Sequence, residues 1–291
     1  MPNQLQVDVY VAPSIPVVSS FKDPLKQWFS PICCTLIHGP ISAVLVDTPT
    51  TIELTGGLLE WIKKTAPGKT VRYIYTTHAH GDHFFGNPLI VEQFPGAKCV
   101  ATSSVVDAVK TFLSEQLARW HGMYPNGQIP DGQIIPEPLP ENGEFSIDGE
   151  SVFGIDVPYS DTQASSFLYA PSLKLVVAGD IVYGDYHQFL GEANTVEKRK
   201  LWLAALDQIS ALEPDIVVPG HKRSSQVDGA YLIDFTRAYI LTFEHELEKL
   251  KDSDKLEEAM KRRYPNRRGE FILGLSCKPS VENHLVVTTK E

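Results

Sequence analysis

Residues 77–83 read Thr77-His78-Ala79-His80-Gly81-Asp82-His83, placing three imidazoles and a carboxylate in one short run. Imidazole nitrogen and carboxylate oxygen are ordinary ligands of zinc and similar divalent ions. In an extended loop His78 and His80 project to one side. Asp82 and His83 follow Gly81, whose freedom to take a turn closed to other residues lets the second pair face a second ion. Desolvating four such groups together for no purpose would cost stability, so the run marks a metal site rather than an accident of packing.

The run follows directly on a stretch rich in β-formers, 71–75, and the end of a strand is where a rigid sheet can aim side chains. Upstream, 35–37 and 43–47 read as two strands joined over Gly39-Pro40, a hairpin. Thr51 offers a helix N-cap, Leu54, Leu58 and Ile62 share one face, and Pro67-Gly68 ends the helix. Downstream, 98–102 is a strand. Val105, Val109, Phe112, Leu117 and Trp120 form an amphipathic helix opened by Ser103 or Ser104.

The stretch 122–143 then turns rich in proline and glycine, which predicts either a lid over a pocket or a passive surface connection. Strands are expected at 151–157, 166–169 and 173–178, then a helix opened by a capping box of Asn194 and Glu197 and carrying Trp202, Leu206 and Ile209. A last strand, 215–218, ends at Gly220-His221. A long helical stripe follows, from Leu232 through Phe235, Tyr239 and Phe243 to Leu250. Two strand-rich halves, each carrying helices, predict two packed sheets with helices on their outer faces. One domain over 1–291 is expected, with its core at about 30–225 and a helical appendage at about 226–291.

Composition narrows the function. Of 291 residues, 43% are apolar and 21% charged, the balance of a globular chain with a sizeable core. The net charge of −10 repels phosphate backbones and argues against nucleic acid as a partner. The basic clusters Lys198-Arg199-Lys200 and Lys261-Arg262-Arg263 read as solvated helix faces, the second beside Glu257 and Glu258 at i,i+4. No apolar run is long enough to span a membrane, and Met1 to Pro13 lacks the look of a signal peptide. Cys33, Cys34, Cys99 and Cys277 show no metal-type spacing and read as buried thiols, so a cytoplasmic setting is expected.

The His78–His83 run resembles the HxHxDH signature of the metallo-β-lactamase superfamily. Three further landmarks resemble that family: Val46-Asp47-Thr48 before the first helix, Ala178-Gly179-Asp180, and Val218-Pro219-Gly220-His221. The resemblance implies an α/β fold, a four-layer αβ/βα sandwich. It also implies two divalent metal ions: His78 and His80 on the first, Asp82, His83 and His221 on the second, Asp180 bridging. Where the family carries a third histidine for the first metal, this chain has Ser160-Asp161-Thr162. Three outcomes are open. Asp161 ligates through oxygen, giving a site for zinc that also suits manganese or iron; or the first site is weak; or His187 reaches in.

Tyr183, three residues after Asp180, resembles the tyrosine of the family's lactonase branch, which contacts the substrate carbonyl. Its alternative is a packed aromatic. Tyr186, His187, Phe189, Trp28, Phe29 and the segment from Trp120 to Ile134 are candidate pocket walls. The expected activity is hydrolysis, with Asp82 and Tyr183 at the reacting atoms and a small cyclic amide or ester as substrate, benzoxazolinone-type lactams and xenobiotic detoxification being one instance. A small-molecule substrate, no nucleic acid, no membrane and a homodimer complete the expectation. The alternatives are a thioesterase or glyoxalase-II-like hydrolase, an iron redox enzyme, or a non-catalytic binding protein that kept the fold.

Overall fold

The computed structural model describes residues 5–288. One sheet runs, in spatial order, β1 (Gln6–Ala12), β2 (Ile32–His38), β3 (Ser42–Val46), β4 (Thr70–Tyr75), β5 (Lys98–Ala101) and β6 (Glu137–Pro138). The other contains β7 (Glu144–Ile147), β8 (Glu150–Asp156), β9 (Ser166–Ala170), β10 (Leu175–Val177) and β11 (Ile216–Val218), with β11 and β7 at its edges. The helices are α1 (Ile52–Thr65), α2 (Asn87–Gln93), α3 (Ser103–Met123), α4 (Val196–Ser210), α5 (Tyr231–Lys249), α6 (Ser253–Arg263) and α7 (Glu270–Thr288).

Strand alternation builds the layers. Val44, Val46 and Tyr75 point inward and pack on Val152, Leu168 and Val177 of the second sheet. Their neighbours Leu45, Ile74 and Cys99 point outward, onto Leu58 and Ile62 of α1 and Ile90 of α2. On the far side Phe167, Val176 and Val217 meet Trp202 and Leu206 of α4 and Tyr239 and Phe243 of α5. Helix, sheet, sheet, helix is the four-layer αβ/βα sandwich expected. Leu256 and Met260 of α6 and Leu273, Cys277 and Val281 of α7 join that last core, so the C-terminal helices share it with the second sheet.

The predicted hairpin is β2–β3, and Thr51 caps α1 by accepting from the Leu54 amide at 3.2 Å. Two caps fall one residue from their predicted places. Thr102, not a serine, precedes α3, and α4 is capped by Thr195, whose hydroxyl accepts from the Lys198 amide at 3.3 Å. Asn194 instead donates to the Gly191 carbonyl. Arg199 is no solvated cation: it is buried, 3.4 Å from Glu244 and 3.3 Å from the Ala193 carbonyl. The four cysteines are buried and free, and among the described residues no helix is long and apolar enough to cross a membrane.

Parallel pairing sets where the chemistry gathers. β3 pairs with β4 and β10 with β11 in parallel, so all four strands release their C-terminal ends toward one rim. Asp47, the His78–His83 run, Asp180 and His221 follow these ends, and the loop from β8 to β9 brings Asp161 to the same rim. Two bonds tie the halves there: the Ser166 amide donates to the Thr77 carbonyl at 2.9 Å, and the Cys33 amide to the Gly220 carbonyl at 2.8 Å.

Candidate metal centre

All seven predicted ligands meet at that rim, each at most 9% exposed. They form three overlapping groups: His78, His80 and Asp161; His78, His83 and Asp180; Asp82, His83 and His221, with ligand atoms within 4.8 Å of one another in each group. Asp161 therefore stands where the missing histidine was expected, its Oδ2 lying 3.1 Å from His80 Nδ1 and 3.8 Å from His78 Nε2. Its Oδ1 accepts from the Ser160 hydroxyl at 2.7 Å.

Each imidazole is oriented through its outer nitrogen, which decides which nitrogen faces inward. His83 donates Nδ1–H to Asp47 Oδ2 at 2.8 Å. His221 donates Nδ1–H to the Pro31 carbonyl at 2.6 Å. The Thr77 hydroxyl donates to Asp47 at 2.8 Å and so accepts from His78 Nδ1–H at 3.0 Å. His80 is reversed: Nε2–H donates to Glu192 Oε1 at 3.2 Å, leaving Nδ1 toward the cluster. Glu192 is itself fixed by Thr162, whose hydroxyl donates to Oε2 at 2.5 Å.

The donor set fits divalent metal. His78 Nε2 and His80 Nδ1 sit 3.1 Å apart, and with their outer nitrogens donating both are lone pairs, which repel unless a cation takes them. His83 Nε2, Asp161 Oδ2 and Asp180 Oδ1 are buried and make no hydrogen bond, a costly state for polar atoms that a metal relieves. The charges are mutually held. Burial would push Asp180 up, but His221 and His83 beside it hold its carboxyl well below the usual range. Burial would lower His83, yet Asp180, Asp82 and Asp47 raise it well above the ordinary imidazole value.

The cluster floors a cavity of about 460 Å³, the size of a small-molecule site. His80, Asp82, Asp180 and His221 reach it. Phe29 lies edge-on to His221 at 6.4 Å between ring centres, and Phe189 edge-on to His80 at 5.8 Å. Trp120 and Met123 of α3 and Phe271, Ile272 and Leu275 of α7 continue the wall, and Val18 to Phe21 complete it.

Several expectations need correcting. His187 does not reach in: its Nδ1 meets the Tyr239 hydroxyl at 2.8 Å, and burial with Arg267 nearby pushes its pKa down to about 3. Of the predicted walls, Trp120, Phe29 and Phe189 hold, but Trp28 is exposed and the 124–134 segment does not line the cavity. That segment packs on the first sheet's flank, with the Gln128 carbonyl accepting from the Ile52 amide at 2.9 Å and Ile129 buried. Gly81 is required for a different reason than predicted. It does not adopt a left-handed backbone; rather, a Cβ there would stand 2.6 Å from Trp120 Nε1 and 2.7 Å from Phe85. Tyr183 lines the cavity floor, stacked near His221, and its hydroxyl donates to Asp180 Oδ2. Burial and then Asp180 push that phenol well up, so it stays protonated. Glu192, Gln116 and α7 were not anticipated. Gln116 accepts from the Gly81 amide at 3.2 Å and from Trp120 Nε1 at 2.9 Å, bracing the metal loop against α3.

No curated protein matches the chain in sequence. Solved structures match its fold. A beta-lactamase domain protein from Burkholderia ambifaria is 18% identical with a TM-score of 0.62, over 97% of this chain and 86% of that one. A metallo-beta-lactamase family protein from Thermus thermophilus is 17% identical with a TM-score of 0.61, over 97% and 94%. The metallo-beta-lactamase FIM-1 from Pseudomonas aeruginosa, in its mono-zinc form, is 17% identical with a TM-score of 0.54, over 83% and 92%. In sequence, the family model described as the metallo-beta-lactamase superfamily matches residues 29–221, from the cavity wall at Phe29 to the last histidine of the cluster, and the chain belongs to that superfamily.

Proposed function

We propose that this member of a hydrolytic superfamily opens a small cyclic amide or ester, using two divalent metal ions of which zinc is the first to test. The observation that carries the reading is the convergence of four imidazoles and three carboxylates on one buried rim, three of their polar atoms without hydrogen bonds. Two such ions, when bound, supply a Lewis acid and an acidified water at neutral pH. The residues do the rest. His78, His80 and Asp161 would hold the first ion and Asp82, His83 and His221 the second, with Asp180 placed among both sets of donors. Asp82 is the carboxylate that both faces the cavity and joins the second group, which suits it to orient the nucleophile. Tyr183 keeps its proton and donates it to Asp180, and the same hydroxyl can turn to a developing oxyanion at the cavity floor. The aromatic walls exclude water and favour a ring-bearing substrate. Asp161 adds an oxygen donor to the first site, which admits manganese or iron beside zinc.

Metal analysis of wild type beside Asp161→Ala, run with a lactone and lactam panel, tests the reading. The expected result is about two equivalents of metal in wild type and about one in the variant, with hydrolysis falling about 100-fold or more. One equivalent in both proteins would remove Asp161 from the ligand set. Full metal content without turnover on the panel would remove the ring-opening activity.

A further inference from the structure

We infer that Gln116 determines specificity, its side-chain NH₂ donating a hydrogen bond to a substrate oxygen carried beside the scissile carbonyl. The substrate class narrows accordingly, to lactones or lactams with a carbonyl-bearing substituent next to the reacting bond. This deepens the ring-opening reading above and rests on it.

The neighbours of the amide decide which way it points. Gln116 Oε1 accepts from the Gly81 amide at 3.2 Å and from Trp120 Nε1 at 2.9 Å. A backbone N–H and an indole N–H can only donate, so the oxygen faces them and the NH₂ faces the other way. Turning the amide over would set donor against donor twice. Trp120 is in turn held in place, 4% exposed and edge-on to Phe29 at 5.0 Å between ring centres. The orientation of the NH₂ is therefore fixed before any substrate arrives, which spares the cost of ordering it on binding.

Gln116 is only 5% exposed, yet it lines the cavity. Its oxygen is taken on the loop side, and among the described residues Nε2 meets no acceptor, so the NH₂ opens onto the cavity. A desolvated donor without a partner costs free energy that a substrate oxygen restores. The other donors of the wall differ. Arg119 donates to Glu115 at 3.1 Å with its side chain 42% exposed. Ser19 is half-buried and Ser20 exposed, so water can serve both hydroxyls. The Tyr183 hydroxyl is given to Asp180.

Position fixes which part of the substrate the donor addresses. Gly81, to which Gln116 is bonded, stands between His80 of the first ligand group and Asp82 of the second. The NH₂ is thus held beside the metal loop, where it orients the substrate close to the atoms that react.

Two matched lactones test the inference on zinc-loaded protein. One is 3,4-dihydrocoumarin with an acetonyl group on the carbon beside its carbonyl; the other carries a methallyl group there. The pair differs in C=O against C=CH₂, so one acceptor is removed at constant shape. Turnover is measured with the lactones. Binding is measured by calorimetry with the matching 2-tetralones, whose CH₂ in place of the ring oxygen prevents hydrolysis. Wild type is expected to favour the acetonyl compound about tenfold in kcat/KM and in Kd. In Gln116→Glu a carboxylate oxygen still accepts from Gly81 and Trp120, but an acceptor replaces the NH₂, and the preference is expected to vanish or invert. Arg119→Met and Ser19→Ala, which remove rival donors, are expected to keep it. Equal handling of the pair by wild type would overturn the inference. So would a preference that survives Gln116→Glu, or one that is lost in Arg119→Met or Ser19→Ala. A binding preference that disappears in Gln116→Glu, with neither lactone turned over by wild type, would remove the ring-opening reading while upholding the donor.

Discussion

Strand β3 is closed at each end by an aspartate, and the two do opposite work with the same chemistry. Both take a left-handed backbone, Asp47 at φ 61° and Asp148 at φ 49°. Both carboxylates make three hydrogen bonds. Asp47, beyond the C-terminal end, takes the Thr77 amide at 2.9 Å, the Thr77 hydroxyl at 2.8 Å and His83 Nδ1 at 2.8 Å. Asp148, in the β7–β8 turn, takes the Ile41 amide at 2.8 Å, the Ser42 amide at 3.0 Å and the Ser42 hydroxyl at 2.6 Å, clipping the second sheet to the N-terminal end. Burial separates them. Asp47 is sealed, and desolvation pushes its carboxyl up despite His83 and Thr77. Asp148 is only partly buried: burial, the largest single effect, raises its carboxyl, but the bonds from Ser42 and Ile41 with Lys69 nearby together hold it below the usual value. A buried carboxylate is a poor source of stability but a precise holder of a ligand. A partly exposed one with good donors does the reverse.

The largest effect should come from Asp47→Asn. Asparagine tolerates the left-handed backbone, so the turn survives. Its amide NH₂, however, would face His83 Nδ1 as a donor. The imidazole would then keep its proton on Nε2, the nitrogen that faces Asp180 and His221. Affinity for the second metal should fall about 10–100-fold by chelator competition, with hydrolysis falling alongside. Unfolding of the metal-free protein should move by less than about 1 kcal/mol, because an uncharged group now fills a buried site. A loss of stability with unchanged metal affinity would invert the comparison.

Glu192→Gln sharpens it. Glu192 plays for His80 the part that Asp47 plays for His83, but at the cavity wall and partly in water, sharing Thr162 and Arg119. A glutamine can still accept from His80 Nε2–H, so the first site should weaken by no more than about tenfold, with Glu192→Ala losing more. Cobalt-substituted protein would report the change in its visible spectrum, which a purely structural defect would leave alone. Equal losses in Gln and Ala would mean that charge, and not hydrogen-bonded orientation, is what Glu192 supplies.

The same contrast between local and long-range placement governs how much could be read from the chain. The His78–His83 run and the strand ends at Asp180 and His221 are short-range patterns, and each landed at the rim because parallel strands release their loops together. Asp161 was found by position within a motif. Glu192 has no such pattern: it sits in an irregular stretch between β10 and α4, placed by long-range hydrogen bonds, its carbonyl accepting from Tyr159 and Lys198 at 3.1 and 2.8 Å and its carboxylate from Thr162. The α7 wall was hidden for a related reason, since an apolar helix stripe reads alike whether it faces a core or a cavity. Strand β1 did leave a signal, the alternation of Val7, Val9 and Val11, which pack toward the inter-sheet core. Proline and glycine between 122 and 143 marked irregular backbone correctly but carry no information about which face it covers.

Asp148→Ala is the smallest change and completes the contrast. It strips three donors of their acceptor at a solvated corner, where water replaces part of the loss, so the expected destabilisation is about 1 kcal/mol, or roughly 2 °C in thermal unfolding. Gly39 packs so closely on this carboxylate that a Cβ there would lie 2.3 Å from Asp148 Oδ2, so filling the gap from that side is not available to wild type. Metal content and hydrolysis should not change. The pH dependence follows from the direction of the shift. Asp148 titrates lower in the folded protein than its ordinary 3.8, so its contribution is complete above that pH and is lost as pH falls through the lower folded value. Wild type and Asp148→Ala should therefore differ in stability at neutral pH and converge in strong acid. Convergence on raising the pH instead would mean that the Ser42 and Ile41 donors are not what holds this carboxylate.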